Sequence, residues 1–305
     1  MKEIRLTTDI TEAETDKLAA TFLDTSHYDV LVTESADVYK PNGDLLFAYR
    51  KHAIAKELCE VSYPVFRDAA RPSNNRGIAA GKLEDTDTLP GEVSQDQKSM
   101  TRFRQQKADG TTSNTSRGKE VMSSVIGYFD RAARFPYCRL TSYNLDNPGE
   151  FAKVMPFIRH VNEVFKDTVP ERHAAQMEFI RRTHPEFVIH GTAFTTVTVN
   201  KNFQTAVHKD AGDLKEGFGV LSCMRGGHYT GGHLVFPRYL AAVDLGTGDV
   251  LCADVHEWHG NTRMHGKLGT FERISLVFYY REKMIECGSP EEEAERANQK
   301  RNAIA

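Results

Sequence analysis

The sequence predicts an α+β fold, with helices in its first part and a barrel or sandwich of antiparallel strands in its second. Two observations support this prediction. Helix signals are concentrated in residues 1–185, whereas short β-branched or aromatic runs separated by glycine-rich turns fill residues 186–305. Strands that recur about every ten residues between turn signals are typical of all-β barrels and sandwiches. We therefore expect a helical N-terminal region with long loops, 1–185, that packs on a β-rich core, 186–305.

Capping residues and prolines mark the first predicted helices. Thr11 and Glu14 form a capping box ahead of apolar residues at helical spacing, which predicts a helix that continues to about Leu23. A second helical run, 52–70, contains Pro64. Proline lacks the amide hydrogen that a helix interior needs, so this helix should kink or end there.

The middle of the chain combines loops with two further helices. Residues 71–119 are rich in small polar residues and show little periodicity, so we expect long loops. Asn147 followed by Pro148 predicts the start of a helix that runs to about residue 167. Pro170 predicts the start of the next helix.

The second part of the chain contains the predicted strands. They are residues 187–189, 193–200, 219–223, 233–236, 241–245, 250–255 and 274–280. A charged stretch from Glu291 then predicts a C-terminal helix that packs loosely on the outside of the core.

Composition excludes several classes of protein. Lys and Arg number 39 against 42 Asp and Glu, which gives a net charge of −3 and no global cationic surface. No apolar run reaches the roughly 18 residues of a membrane span, and the N-terminus lacks a signal-peptide core. We expect an intracellular protein that needs neither a membrane nor an obligate protein partner.

Cysteine usage predicts a reducing compartment. The five cysteines are odd in number and scattered, without a C-x-x-C motif. This pattern argues against a disulfide framework and against a structural zinc site. The cytoplasm, the nucleus or a virus-infected host cell would each be such a compartment.

Histidines concentrate in one stretch of the predicted core. Six of the 12 histidines lie between His208 and His265. In His208-Lys-Asp210, strand alternation places the imidazole and the carboxylate on one face. His256 and His259 each offer a second imidazole from a distant strand. Two imidazoles and one carboxylate form the facial triad of non-haem Fe(II) oxygenases.

A third element makes this metal site more specific. Arg273 and Ser275 alternate onto one face of a predicted strand. A guanidinium inside a small barrel needs an anion to offset its burial, and an arginine beside a hydroxyl suits a terminal carboxylate. The order His-x-Asp, His, Arg-x-Ser therefore predicts a 2-oxoglutarate site in which Arg273 and Ser275 hold the far carboxylate.

These residues resemble the Fe(II)/2-oxoglutarate dioxygenases, and among them the TET/JBP nucleobase oxygenases. The similar stretch runs from about residue 195 to 280 and includes the segments 207–210, 231–237, 259–262 and 273–279. The resemblance implies a double-stranded β-helix (a jelly roll) with helices packed on its outside. It also implies that Fe(II), 2-oxoglutarate and O₂ serve to hydroxylate the C5-methyl group of thymine or 5-methylcytosine in DNA.

The resemblance also bears on the remaining candidate residues. The residue after the distal ligand is often small in this family, so Gly260 favours His259 over His256, which then lies beside the metal site. Asp213 completes H-x-D-x-x-D and either orients Lys209 or the co-substrate loop, or is solvated. Arg76 contacts substrate or pairs with a carboxylate.

One basic segment could meet a phosphate backbone. Residues 98–119 hold six basic side chains against one acidic one, with an aromatic ring among them. The basic residues are Lys98, Arg102, Arg104, Lys107, Arg117 and Lys119. These residues either contact the phosphate backbone of DNA that is single-stranded or has a flipped base, or they form a solvated loop.

Other functions remain open at this point. The negative net charge favours the same chemistry on a free nucleoside, a nucleotide or a small metabolite. A zinc hydrolase or a non-catalytic barrel could also use the triad, but neither needs the clamp of Arg273 and Ser275.

Overall fold

The computed structural model describes residues 1–84, 87, 90, 92–94 and 101–302. The helices are α1 (Glu12–Asp16), α2 (Lys56–Ala69), α3 (Ser142–Asp146), α4 (Pro148–Thr168), α5 (Pro170–Arg182) and α6 (Pro290–Asn302). The strands are β1 (Lys2–Arg5), β2 (Val30–Val32), β3 (Ala36–Tyr39), β4 (Leu45–Arg50), β5 (Pro72–Ser73), β6 (Glu92–Ser94), β7 (Phe103–Gln106), β8 (Thr112–Arg117), β9 (Val121–Phe129), β10 (Arg139–Leu140), β11 (Thr196–Lys201), β12 (Gly219–Gly227), β13 (Thr230–Gly231), β14 (Leu234–Phe236), β15 (Ala241–Val243), β16 (Val250–Ala253), β17 (Gly260–Asn261), β18 (Met264–His265) and β19 (Phe271–Tyr279).

Two packed sheets form the core, as expected for a jelly roll. In the larger sheet the strand order is β1-β3-β4-β16-β12-β19-β11-β9-β10, with β5 paired to β9. In the smaller sheet the order is β17-β14-β15-β2. Apolar side chains of both sheets form one cluster, in which the rings of Phe47 and Phe236 stack at 5.4 Å. The predicted fold class, an α+β double-stranded β-helix with helices outside, is confirmed.

The helical interpretation of residues 1–185 is wrong for several segments. Strand β4 pairs with β16, and β9 pairs with β11, so the first part of the chain extends the core sheet on both sides. These pairings join residues more than 60 positions apart, and the local periodicity of a strand does not indicate which distant strand it pairs with. The boundary at residue 185 stays a prediction.

The starts of three helices agree with their capping or proline signals, but the predicted length of α1 is wrong. Helix α4 begins at Pro148, and α5 begins at Pro170. The capping box of Thr11 is present, but α1 ends at Asp16, well short of Leu23. Helix α2 continues through Pro64 to Ala69, so it does not end at the proline, and a kink there stays a prediction.

Helices α2 and α4 cover the outer face of the larger sheet. The rings of Phe66 and Phe157 meet edge-to-face at 5.3 Å, and Phe157 stacks on Phe278 of β19 at 6.4 Å. Large buried rings contribute much of the apolar burial in such a core. This packing fixes β19, the strand that carries Arg273 and Ser275.

Part of the segment predicted as loops, 71–119, is a small sheet instead. Strands β6, β7 and β8 pair in that order, and β7 and β8 form a hairpin. Strand β8 is largely exposed and polar on both faces, so it shows no apolar alternation. The strand predicted for residues 187–189 is wrong. Phe187 ends a short 3-10 helix, Pro185–Phe187, and residues 188–189 belong to no strand.

The C-terminal segment is anchored rather than loosely packed. Glu293 of α6 is buried and forms an ion pair with Arg131. A disulfide bond joins Cys138 to Cys287, which corrects the expectation that the cysteines remain unpaired. Because 149 positions separate these cysteines, no local pattern indicates that they meet. The disulfide removes the cysteine argument for a reducing compartment.

Among the described residues, the helices are too short or too polar to cross a lipid bilayer.

Candidate functional site

Backbone pairing brings two histidines together. The amide of His208 donates to the carbonyl of His259 at 2.9 Å, and the amide of His259 donates back at 3.0 Å. Residues opposite each other in an antiparallel pair project to the same face. The two imidazole rings consequently lie 4.4 Å apart, centre to centre.

Asp210 completes a cluster with these histidines. One ligand atom from each of the three side chains lies within 4.8 Å of the others. The Nε2 atom of His208 is 3.5 Å from Asp210 Oδ1, and that of His259 is 3.7 Å from Oδ2. Among the described residues, this is the cluster of histidine, cysteine and carboxylate groups with the spacing of a metal site.

Hydrogen bonds orient both imidazoles. The Nδ1–H of His208 donates to the carbonyl of Ala206 at 2.8 Å, and the Nδ1–H of His259 donates to the carbonyl of Glu257 at 2.9 Å. This leaves the Nε2 lone pairs directed at Asp210. Metal-binding histidines are held in the same way, with the second ring nitrogen bonded to a carbonyl.

Burial keeps His259 in the neutral form that a metal needs. Its environment lowers the pKa of His259 to about 4, chiefly because burial disfavours the imidazolium and also because His208 is close. A neutral imidazole provides the lone pair for coordination.

Arg273 and Ser275 lie on the wall of the same cavity. The cavity has a volume of about 360 Å³ and is lined by the three clustered side chains together with Arg273 and Ser275. Arg273 is only 4% exposed, and its Nε has no hydrogen-bond partner among the described residues. A buried cationic donor without a partner is costly unless an anion binds it.

Two further predicted residues face this cavity. Asp213 and Arg76 both line it, and Asp213 Oδ2 and Arg76 Nε lack hydrogen-bond partners among the described residues. Burial, followed by the negative charge of Asp210, raises the pKa of Asp213 well above its usual value. These groups leave polar atoms available for a bound molecule.

His256 lies outside the cluster. Its Nε2 donates to the backbone carbonyl of Asp213 at 3.2 Å, and its Nδ1 lies 3.5 Å from Asp254. The geometry therefore brings His259, and not His256, to Asp210. His256 instead contacts the backbone of the segment that carries Asp213.

Arg102 and Arg104 do not line this cavity. Arg102 donates to Ser116 Oγ at 2.9 Å across the hairpin, and Arg104 Nε is buried without a partner among the described residues. Arg117 is paired with Glu92 and Lys119 with Asp87, so part of the predicted positive charge is neutralised. Lys98 lies outside the described residues.

Strands β9 and β11 supply wall residues that sequence reasoning missed. Ser123 of β9 and Asn200 of β11 are hydrogen-bonded to each other on this wall, and Thr198 lies beside them. Because Thr198 and Asn200 alternate within a predicted strand, their position on one face could have been predicted from the sequence. Nothing local indicated that Ser123 belongs to the site.

The fold is a jelly roll, and its cavity combines a cluster of two histidines and one carboxylate with a buried arginine, which is the arrangement expected of the Fe(II)/2-oxoglutarate oxygenase class. Residues 124–282 match the Tet_JBP family, the oxygenase domain of the 2OGFeDO superfamily. This match covers just over half of the chain. The chain belongs to the Tet_JBP family, as its resemblance to the TET/JBP oxygenases predicted.

Curated relatives support the same family. The chain is 31% identical over 271 residues to thymine dioxygenase JBP1 of Trypanosoma brucei brucei, an alignment that covers 80% of this chain and 32% of the relative. It is 36% identical over 169 residues to the bifunctional helicase and thymine dioxygenase JBP2 of Leishmania infantum, covering 55% and 15%. The chain thus spans about a third or less of these relatives.

A solved structure of NgTET1 in complex with 5mC DNA has a similar fold. The TM-score is 0.55 at 12% identity, and the similarity covers 95% of this chain and 100% of that one. At this identity the similarity concerns the fold alone.

Proposed function

We propose that this chain is an Fe(II)- and 2-oxoglutarate-dependent dioxygenase that hydroxylates the C5-methyl group of thymine or 5-methylcytosine in DNA. One observation supports this proposal above all. His208, Asp210 and His259 converge in the cavity that Arg273 also lines, and the buried Nε of Arg273 has no hydrogen-bond partner among the described residues. The relatives named as thymine dioxygenases agree with a methylpyrimidine as substrate.

The residues present fit the metal that the family uses. Two neutral imidazoles and one carboxylate are suitable ligands for Fe(II), and His208, Asp210 and His259 would hold it. When bound with 2-oxoglutarate and O₂, the iron supplies the oxidising chemistry for hydroxylation of a methyl carbon. The chain's own contribution is to orient the two imidazoles through the hydrogen bonds of their Nδ1 atoms to backbone carbonyls.

Arg273 and Ser275 would hold the far carboxylate of 2-oxoglutarate. Both side chains lie on the cavity face of β19, and a charged hydrogen bond from a guanidinium is among the stronger ones in proteins. The buried position of Arg273 excludes water that would weaken this bond.

Arg76 and Asp213 would contact the base. Both residues line the cavity, and each has a polar atom without a partner in the described part of the chain, a donor in Arg76 and a carboxyl oxygen in Asp213. The Watson–Crick edge of a pyrimidine carries donors and acceptors, and an enzyme that acts on a base must extrude it from a duplex or take it from a single strand. A base held by these groups would lie in the cavity that the clustered histidines and Asp210 also line.

The direct test is oxidation of a methyl group in DNA. The purified chain is incubated with Fe(II), 2-oxoglutarate and DNA that contains thymine, with or without 5-methylcytosine, and the digested nucleosides are analysed by mass spectrometry. We expect a hydroxymethyl nucleoside that depends on 2-oxoglutarate. Succinate without an altered nucleoside in DNA, but with an altered free nucleoside, would support the small-molecule alternative.

We predict that the β7–β8 hairpin contacts phosphates. The double variant Arg102→Ala/Arg104→Ala should weaken binding to DNA of any sequence. The slope of log K plotted against the logarithm of the salt concentration should decrease in magnitude by about 2, because each phosphate contact contributes roughly one. Binding is measured by fluorescence anisotropy over a series of salt concentrations. The matched control is Arg181→Ala/Arg182→Ala, which removes two exposed arginines from α5. Equal slopes for both variants would exclude the hairpin as a phosphate-binding surface.

A further inference from the structure

The turn that follows β16 supports two of the three side chains that cluster in the cavity. It comprises residues 254–257, and we call it the support turn. The carbonyl of its Val255 accepts a hydrogen bond from the amide of Asp210 at 3.0 Å. The carbonyl of its Glu257 accepts from the Nδ1–H of His259 at 2.9 Å. The positions of one carboxylate and one imidazole of the cluster therefore depend on the backbone conformation of this turn.

The support turn carries two largely buried carboxylates. The side chains of Asp254 and Glu257 are 21% and 15% exposed. Asp254 Oδ1 accepts from the amide of His256 at 3.2 Å, and the amide of Glu257 donates to the carbonyl of Asp254 at 3.2 Å, which closes the turn. Two carboxylates that are mostly removed from water on one short turn repel each other unless a cation balances them.

A buried lysine from the N-terminal part of the chain binds both carboxylates. The Nζ of Lys40 donates to Asp254 Oδ2 at 2.7 Å and to Glu257 Oε1 at 2.8 Å. Lys40 is only 9% exposed. Burial alone would lower the pKa of Lys40, but its hydrogen bonds to the two carboxylates outweigh this effect and raise the pKa, so the ammonium group stays charged. One cation thus joins the first and the last residue of the support turn.

Two further side chains contact the carboxylate of Glu257. The hydroxyl of Tyr239 donates to Glu257 Oε1 at 2.8 Å, and Arg238 Nη1 lies 3.8 Å from Oε2. Arg238 also pairs with Asp9 at 2.7 Å, so its charge is divided between two carboxylates. Lys40, in contrast, contacts both carboxylates of the support turn directly.

We propose that Lys40 is a positioning residue for metal binding, which fixes the support turn and, through this turn, fixes Asp210 and His259. The inference rests on the proposed function, because it concerns residues proposed to hold Fe(II). Lys40 lies outside residues 124–282, the part of the chain that matches the Tet_JBP family. Groups that orient metal ligands typically change the metal affinity about 10- to 100-fold when they are replaced.

The test compares the Fe(II) affinity of the natural chain with that of Lys40→Met. This substitution keeps an unbranched side chain and removes the charge, so the two carboxylates of the support turn lose the cation that they share. We expect the dissociation constant for Fe(II), measured by titration of the full chain under anaerobic conditions, to rise at least about tenfold. Thermal unfolding in the same buffer establishes that the titrated chain is folded.

Arg50→Met is the matched control. The side chain of Arg50 is 18% exposed and forms an ion pair with Asp37 at 2.7 Å, which joins β4 to β3 rather than to the support turn. The control therefore also removes a largely buried cation from an ion pair. We expect Arg50→Met to lower the unfolding temperature and to leave the dissociation constant for Fe(II) unchanged.

A milder pair of variants applies if Lys40→Met does not fold. Tyr239→Phe keeps the ring and removes one donor to Glu257, which should weaken Fe(II) binding about threefold. Its control is Tyr49→Phe, which removes the hydroxyl of another buried tyrosine, one that donates to Asp249. This control should bind Fe(II) as the natural chain does.

The possible failures can be told apart. A folded Lys40→Met that binds Fe(II) as tightly as the natural chain would overturn the inference and leave the proposed function standing. Unchanged binding by Tyr239→Phe would do the same where Lys40→Met does not fold. Equal weakening by a variant and its control would assign Lys40 a purely structural role. A natural chain that does not bind Fe(II) would instead overturn the proposed metal site itself.

Discussion

Replacement of His259 with alanine is expected to abolish 2-oxoglutarate turnover, whereas the same change at His256 is expected to leave most of it. His259 offers its Nε2 to the cluster with His208 and Asp210, and His256 is bonded to the carbonyl of Asp213 instead. Loss of a metal ligand removes a contribution of several kcal/mol, so turnover should fall at least about a thousandfold.

Succinate release measures this difference directly. Thermal unfolding of both variants provides the control, because each substitution removes one partly or fully buried imidazole and both chains should remain folded. Equal losses in the two variants, or activity retained by His259→Ala, would mean that the distal ligand has been misassigned.

Replacement of Glu293 with alanine is expected to have the largest effect on stability. The carboxylate is 2% exposed, pairs with Arg131, and accepts hydrogen bonds from the amides of Cys138 at 2.7 Å and Gly288 at 2.8 Å. Removal of one partner leaves a cation and two amides without their acceptor, which should cost about 3 kcal/mol of unfolding free energy. Chemical denaturation measures this loss.

The same carboxylate should make stability depend on acid pH. Burial alone would raise the pKa of Glu293, but Arg131 and the two amides outweigh it and lower the pKa below the ordinary value of 4.5. The stabilisation is therefore fully present above pH 4.5 and decreases as the pH falls through the lower folded-state value. Glu293→Gln should lack this part of the dependence.

Glu295→Gln is the appropriate control for both experiments, because Glu295 is an exposed glutamate on the same helix. If Glu293→Ala and the control are equally stable, the buried ion pair contributes nothing to the fold.

Local sequence signals predicted the elements whose causes are local. The start of α4 at Pro148 follows from the fixed φ of proline, and strands β11, β12 and β19 follow from β-branched runs between glycine-rich turns. Strands β4 and β9 were missed because they form only through partners distant in the chain. The Cys138–Cys287 pair was missed for the same reason.

In the candidate site, too, features with local causes were predicted and features that depend on distant strands were not. Alternation along a strand was enough to place Arg273 and Ser275 on one face. The choice between His256 and His259 depended on the resemblance, and the structure gives its physical basis in the reciprocal backbone bonds of His208 and His259. Ser123 could not be predicted, because it reaches the cavity through a sheet pairing that no local pattern reveals.

The central claim is that three side chains hold one Fe(II) ion in the cavity. Equilibrium binding of Fe(II) under anaerobic conditions tests it most directly, with the natural chain, Asp210→Ala and His256→Ala compared. We expect one equivalent of Fe(II) to bind to the natural chain and to His256→Ala, and binding to be lost in a folded Asp210→Ala. Undiminished binding of Fe(II) by Asp210→Ala would contradict the claim.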